Sequence, residues 1–201
     1  MMARPALPRL RESRHLMQGR FVLNSGAPLS RRVGHHALNS PSAMSKTTPA
    51  TRALGATGAP FTLHAYAYDP GADRIGLQAA QAMGADPATV LKTLMAEVDG
   101  KPVCVVLPSN REVSMKALAK AFGGKSAQMM RPADAERLTG FVVGGISPFG
   151  QKRRVPTLVE ETALAHPLVY INAGQRGLQV RLNPSDAVAA LGATVTALIA
   201  G

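Results

Sequence analysis

The chain predicts an α+β fold with a mostly antiparallel sheet, and three observations carry that expectation. Short apolar runs that read as strands alternate with short helical segments, without the regular strand-helix-strand rhythm of a parallel sheet. Hairpin signals predominate, with Asp99-Gly100 between two apolar runs and Gly174-Gln175-Arg176-Gly177 between two others. At 201 residues there is room for one domain of ordinary size plus a tail. Trp is absent and aromatics are few, so Val, Leu, Ala, Met and Ile must build the core. No internal repeat and no Walker or Rossmann signature is present.

The elements follow in order. A short helix runs from Thr47 to Leu54 and closes at Gly55. Phe61 to Tyr66 alternates like a strand, and Asp69-Pro70-Gly71 turns the chain. Ile75, Leu77, Ala79, Ala80 and Met83 share a helix that stops at Gly84. Asp86-Pro87 reads as the start of a brief helix running into Leu91, which puts Lys92 at its junction with a strand over Thr93–Val98. Asp99-Gly100 leads to a strand over Pro102–Leu107. Ser114 caps a helix carrying Met115, Leu118, Ala119 and Phe122, ended by Gly123-Gly124. Pro132 to Leu138 is another short helix with Asp134 and Glu136 in its early turns. Strands follow near 157–160, 168–172 and 178–182. Asn183-Pro184 opens a helix through Leu191, and ATVTALI ends the chain as a strand or a helix turn.

Residues 1–43 show no sustained apolar period and are rich in Arg, Pro, Ser and Gly, so they read as a disordered basic extension. An Arg-rich, acid-poor leader resembles an organellar transit peptide. The composition changes sharply at MSKTTPATRAL, which favours a working domain of residues 44–201 that starts at Met44.

The net charge of +11 is uneven. Residues 1–43 hold seven Arg and one Glu, and the remainder is only mildly basic. That permits a nucleic-acid partner without requiring one. No run approaches the roughly 18 apolar residues of a membrane span, so a soluble protein with no membrane partner is expected. Cys104 is the only cysteine, which rules out an internal disulfide and points to a reducing compartment such as the cytoplasm. It sits in PVCVVLP, an apolar run where a thiol packs rather than reacts. Three of the five histidines, His15, His35 and His36, lie in the tail without other metal ligands, and no metal or cofactor is expected.

One stretch stands out chemically: FVVGGISPFGQKRRVP, from Phe141 to Pro156. An apolar run ends in a Gly pair, Pro148 stiffens the loop, and Lys152, Arg153 and Arg154 follow. Glycine lets the main chain approach a ligand closely and leaves its amides unshielded. Such a loop suits an anionic or ester-bearing ligand. A bulged hairpin with a solvated basic tip reads equally well from composition. Lys92 lies among Val90, Leu91, Leu94 and Met95, so its ammonium is partly desolvated if it faces a pocket and ordinary if it snorkels to water.

GGISPFGQKRR, LKTLM at 91–95, AYAYDP at 65–70 and AGQRGLQV at 173–180 resemble, in order and spacing, the YbaK/EbsC family of free-standing editing proteins. The likeness runs from about Met44 to the C-terminus. It implies a closed or nearly closed barrel of six or seven strands with helices around it. It implies deacylation of mischarged aminoacyl-tRNA, chiefly Cys-tRNA(Pro), with the acceptor end as ligand and prolyl-tRNA synthetase as an expected partner. Aminoacyl-tRNA, not DNA, is then the nucleic acid concerned.

On this resemblance Lys92 is the functional lysine of the K-T-L motif, and Thr93 positions substrate or packs. Gly144 and Gly145 open the G-x-x-x-P loop, whose amides, through Ile146, Ser147 and Pro148, face the aminoacyl ester and terminal adenosine. Tyr66 lines the pocket or stacks on adenine. Gly174 lies in the second glycine loop. Asn172 stands where some members have Ser, and Gln179 where some have Asp, so the amino-acid preference is open. Lys152, Arg153, Arg154 and Arg176 are candidate phosphate contacts, or solvated loop residues. Ser147 has no His near it in sequence, and the domain's histidines are His64 and His166, so a catalytic triad is not expected. With no evident nucleophile, the resemblance implies that the substrate's own cysteine thiol attacks its ester. Deacylation of Ala-tRNA(Pro) by a positioned water, and a non-catalytic tRNA- or synthetase-binding module, are the alternatives.

Overall fold

A computed structural model describes residues 46–200, and the expectations for residues 1–43 and Met44 lie outside them. Helix α1 (Pro49–Gly55) begins with a capping box. The Thr48 hydroxyl accepts from the Thr51 amide, and the Thr51 hydroxyl accepts from the Thr48 amide. Strand β1 (Thr62–Ala65), helix α2 (Ile75–Met83) and the long hairpin β2 (Val90–Val98) and β3 (Lys101–Pro108) follow. The hairpin turn is Asp99-Gly100 as expected, both at positive φ. Helix α3 (Met115–Ala121), strand β4 (Ala127–Met129), helix α4 (Pro132–Thr139) and strand β5 (Thr157–Glu160) come next. A 3-10 turn at Glu161–Ala165 leads to β6 (Val169–Asn172), β7 (Leu178–Leu182), helix α5 (Pro184–Leu191) and β8 (Thr194–Thr196).

The sheet corrects the expected topology. It has eight strands in the order β1-β7-β6-β2-β3-β5-β8, with β4 paired to β2 as a side branch. It is mixed: β2 with β6, β3 with β5, and β5 with β8 are parallel. It is also open, because no pair joins β1 to β8. Hairpin signals report only neighbours in sequence, whereas the parallel pairs join strands separated by whole helices. Asp86-Pro87 forms a turn and not a helix. The Asp86 carboxylate accepts from the Ala88 amide at 2.9 Å, and β2 begins at Val90. Lys92 therefore lies inside β2.

Both faces of the central strands are covered, which is why β3 is buried along six consecutive residues. On one face Leu91, Met95, Cys104 and Val106 join Leu54 of α1, Ala135 of α4 and Leu191 of α5. On the other, Ala96, Val103, Val105 and Leu107 pack with Leu118 of α3 and Leu198 of the C-terminal segment. That segment is held by Glu160, which is fully buried and accepts from the amides of Leu198 at 2.6 Å and Ile199 at 3.1 Å. A third cluster packs Ala79 and Ala80 of α2 over Tyr66 and Val90.

One detail of the pairing positions the site. On the side away from β3, β2 pairs with β6 at Val90 and Leu91, and with β4 from Ala96 to Val98. The Met95 carbonyl accepts from the Met130 amide. Residues 92–94 have no strand beside them on that edge among the described residues.

Candidate active site

A cavity of about 440 Å³ opens at this gap, within the size range of small-ligand sites (~300–1,000 Å³). Lys92 and Thr93 of β2, Tyr66 just after β1, Asn172 at the end of β6 and Gln179 of β7 all line it. So do Gly144 and Ile146 of the glycine loop. The lysine and the loop, about fifty residues apart in sequence, thus share one hollow.

Three polar atoms in its wall are buried without a hydrogen-bond partner: Tyr66 Oη, Thr93 Oγ1 and Gln179 Oε1. Folded proteins pair nearly all such groups, and orphans gathered in one cavity are poised for a ligand or water. Burial raises the Tyr66 phenol above its ordinary value, so it is neutral and able to donate. Burial also lowers the Lys92 ammonium below its ordinary value of 10.5. Glu112 opposes that shift, and Arg74 adds to it. A cation kept partly out of water interacts more strongly with a developing negative charge.

The glycine loop is braced from three sides. The Val143 amide donates to Glu136 of α4 at 2.8 Å. Asn172 Nδ2 donates to the Gly144 carbonyl at 3.2 Å, while its Oδ1 accepts from the amides of Gly174 at 2.7 Å and Gln175 at 3.2 Å. Arg176 Nε donates to the Val143 carbonyl at 2.9 Å, and its guanidinium lies over the Tyr68 ring. Gly144 has φ +86, and a Cβ there would lie 3.0 Å from Ile75. A Cβ on Gly145 would come within 3.1 Å of the Arg176 amide nitrogen, so the two glycine loops need close approach. The Gly145 amide is spent on the Val142 carbonyl at 2.8 Å. The amides of Gly144 and Ile146 donate to no protein group among the described residues.

The remaining sequence candidates lie elsewhere. Ser147 is fully buried, its hydroxyl accepting from the Phe149 amide at 3.3 Å, and Pro148 faces a separate hollow against α1. Gly145 and Gly174 support the loops from behind. Arg154 donates to the Leu191 carbonyl at 2.6 Å and so caps the C-terminal end of α5. Lys152 and Arg153 line a groove beside α4. His64 contacts Thr62 and Tyr170, and His166 closes the 3-10 turn, so neither histidine reaches Ser147 or the cavity. Cys104 is buried, and its thiol is pushed up to about 12 by desolvation, which keeps it protonated.

Sequence reasoning missed the rim. Arg74 and Arg111 line the cavity together with Asp73 and Glu112, and Met129 and Met130 line it from β4 and the segment after it. Arg74 precedes α2 and Arg111 follows β3, in turns whose only sequence signal was their polarity. No group of three or more metal-ligating side chains occurs among the described residues, and no described helix is long and apolar enough to cross a membrane.

The chain is 39% identical over 107 residues to an Enterococcus faecalis protein, EbsC, named as a Cys-tRNA(Pro)/Cys-tRNA(Cys) deacylase. The match covers 52% of this chain and 65% of that relative. It is 31% identical over 133 residues to a proline–tRNA ligase of Limosilactobacillus fermentum, covering 64% of this chain and 22% of the ligase. A crystal structure described as a trans-editing enzyme for prolyl-tRNA synthetase has the same fold. Its TM-score is 0.65 at 24% identity, with 78% of this chain and all of that one covered. The aminoacyl-tRNA editing domain model matches residues 69–190, more than half of the chain, and the protein belongs to that family.

Proposed function

We propose that this protein is a trans-editing deacylase that removes cysteine from mischarged Cys-tRNA(Pro). The observation that carries the reading is the shared cavity, lined by a partly desolvated lysine, by Gly144 and Ile146 of the glycine loop and by three side chains whose buried polar atoms lack a partner. A synthetase pocket separates small amino acids poorly by binding alone, so a second site that cleaves the wrong product adds fidelity. The likeness to EbsC and to a proline–tRNA ligase supports tRNA(Pro) as substrate, Cys-tRNA(Cys) as a further one and the synthetase as partner.

The proposed chemistry uses the substrate's own thiol. The thiolate sulfur attacks the ester carbonyl carbon, a carbon-sulfur bond closes a small thiolactone ring, and the carbon-oxygen ester bond breaks. The thiol proton passes to solvent and the departing ribose oxygen takes one up, so the tRNA leaves with a free hydroxyl. Holding thiol and ester together gives the large advantage of an intramolecular reaction. Lys92 and the amides of Gly144 and Ile146 stabilise the oxyanion. Tyr66, Thr93 and Gln179 orient the amino acid, with Gln179 Oε1 and the hydroxyl oxygens accepting from its ammonium.

Two measurements test this. Deacylation assayed on Cys-, Ala- and Ser-charged tRNA(Pro), with and without prolyl-tRNA synthetase, should be far faster for cysteine. Equal rates for all three would replace the thiol mechanism with an attacking water. The pH profile of kcat/KM, corrected for uncatalysed hydrolysis, should rise as the substrate thiol ionises (pKa ~8.5). It should fall again below pH 10.5 as Lys92, whose pKa is lowered, loses its proton. Lys92→Arg should abolish the alkaline fall, because a guanidinium stays charged.

A further inference from the structure

We propose that the groove between α4 and residues 152–153 is the track for the sugar-phosphate backbone of the acceptor strand, leading its 3′ end into the cavity. This rests on the editing reading of the cavity itself. The groove, of about 570 Å³, is lined by four cations, Arg131, Arg137, Lys152 and Arg153, against two carboxylates, Glu97 and Asp134. Its two walls are tied together. The Lys152 amide donates to the Thr139 carbonyl at 2.8 Å, and the Arg153 amide to the Leu138 carbonyl at 3.2 Å. Asp134 is already paired with Arg131 and Arg137, whose side chains are 85% and 77% exposed. Exposed pairs of this kind add little stability, so a phosphate competes for the same guanidinium groups.

Two features fix the direction. Met130 lines both the groove and the cavity, which makes them neighbours. Elsewhere in the cavity's lining Arg74 and Arg111 are matched in number by Asp73 and Glu112, which leaves Lys92 as the one uncompensated cation there, against two in the groove. A polyanion whose end occupies the cavity leaves on the side where positive charge is uncancelled. An acidic protein would also be attracted to the groove, but only a strand whose terminus is the substrate must run continuously from the cavity.

The test is equilibrium binding of the full chain to an uncharged RNA hairpin ending in CCA, measured across a range of salt concentrations. Arg137→Glu combined with Lys152→Glu should weaken binding by ~10-fold or more and reduce the salt slope by about 2. Lys116→Glu, outside the cavity and the groove, reverses a single charge on α3 and should leave the slope unchanged. Melting temperatures report whether the variants fold, and Arg137→Gln with Lys152→Gln tests the same groove if charge reversal prevents folding. Unchanged RNA affinity in the groove variants, or an equal loss in Lys116→Glu, overturns the proposal. Because the RNA is uncharged, failure of the editing reading shows separately, as absent turnover with groove-dependent binding intact.

Discussion

Lys92→Ala is expected to lower deacylation of Cys-tRNA(Pro) by about 10²- to 10³-fold, the usual cost of losing one oxyanion-stabilising donor. Affinity for tRNA should be retained, because the proposed backbone contacts lie in the groove beside α4. The expectation follows from where β2 puts the side chain. Lys92 lines the cavity among Leu91, Leu94 and Met95, and burial lowers its pKa below the ordinary lysine value. Part of its hydration has been given up in the folded state, so its field acts on the ester with less screening than at the surface. Single-turnover assays with saturating protein separate the chemical step from binding. Full turnover in Lys92→Ala would remove this residue from the mechanism. Absence of turnover in the unaltered protein, on every charged tRNA(Pro), would make the chain a binding module.

Gly150→Ala is expected to cost the largest stability, roughly 2–5 kcal/mol, from left-handed strain plus overpacking. Gly150 has φ +64, and an added Cβ would lie 2.4 Å from the Pro49 carbonyl oxygen and 2.6 Å from its carbon. Those atoms belong to the first turn of α1 and cannot swing aside as a side-chain tip can. A fall in melting temperature of about 5–15 °C should result in a domain of this size. Gly84→Ala separates the two causes. Gly84 also has positive φ, at +61, but nothing lies within 4 Å of its added Cβ. It should lose only the conformational part, about 1–2 kcal/mol. Equal losses at the two positions would show that the contact between the loop and α1 contributes nothing.

Local chemistry made much of the fold legible. The Asp99-Gly100 turn, the Ser114 and Asn183 caps and the stop at Gly84 are each decided within a few residues, and the structure carries each of them. Asp86-Pro87 misled because the same Asp-Pro pair starts helices and turns alike, and the strong β-formers after it claimed the chain from Val90. The three-residue strand β4 and the parallel pairs depend on contacts between distant segments, on which periodicity is silent. At the site, Lys92 and Gly144 were recognisable by motif, and the structure brings them to one cavity. Ser147, expected in the part of the loop that faces the substrate, is fully buried. Arg154 looked like a free cation in a basic run, yet it is occupied by the Leu191 carbonyl. Which member of such a run meets a helix end is a matter of tertiary geometry.

The interruption beside β2 has a bearing on self-association. A bare strand edge ordinarily recruits strands from other molecules. On this edge of β2 only residues 92–94 lack a neighbour among the described residues, a length of about 10 Å. β6 and β4 close it off at either end, so an incoming strand would find too little backbone to zip against. A compact ligand meets no such obstacle. The same opening therefore admits a small occupant while denying a template to aggregation.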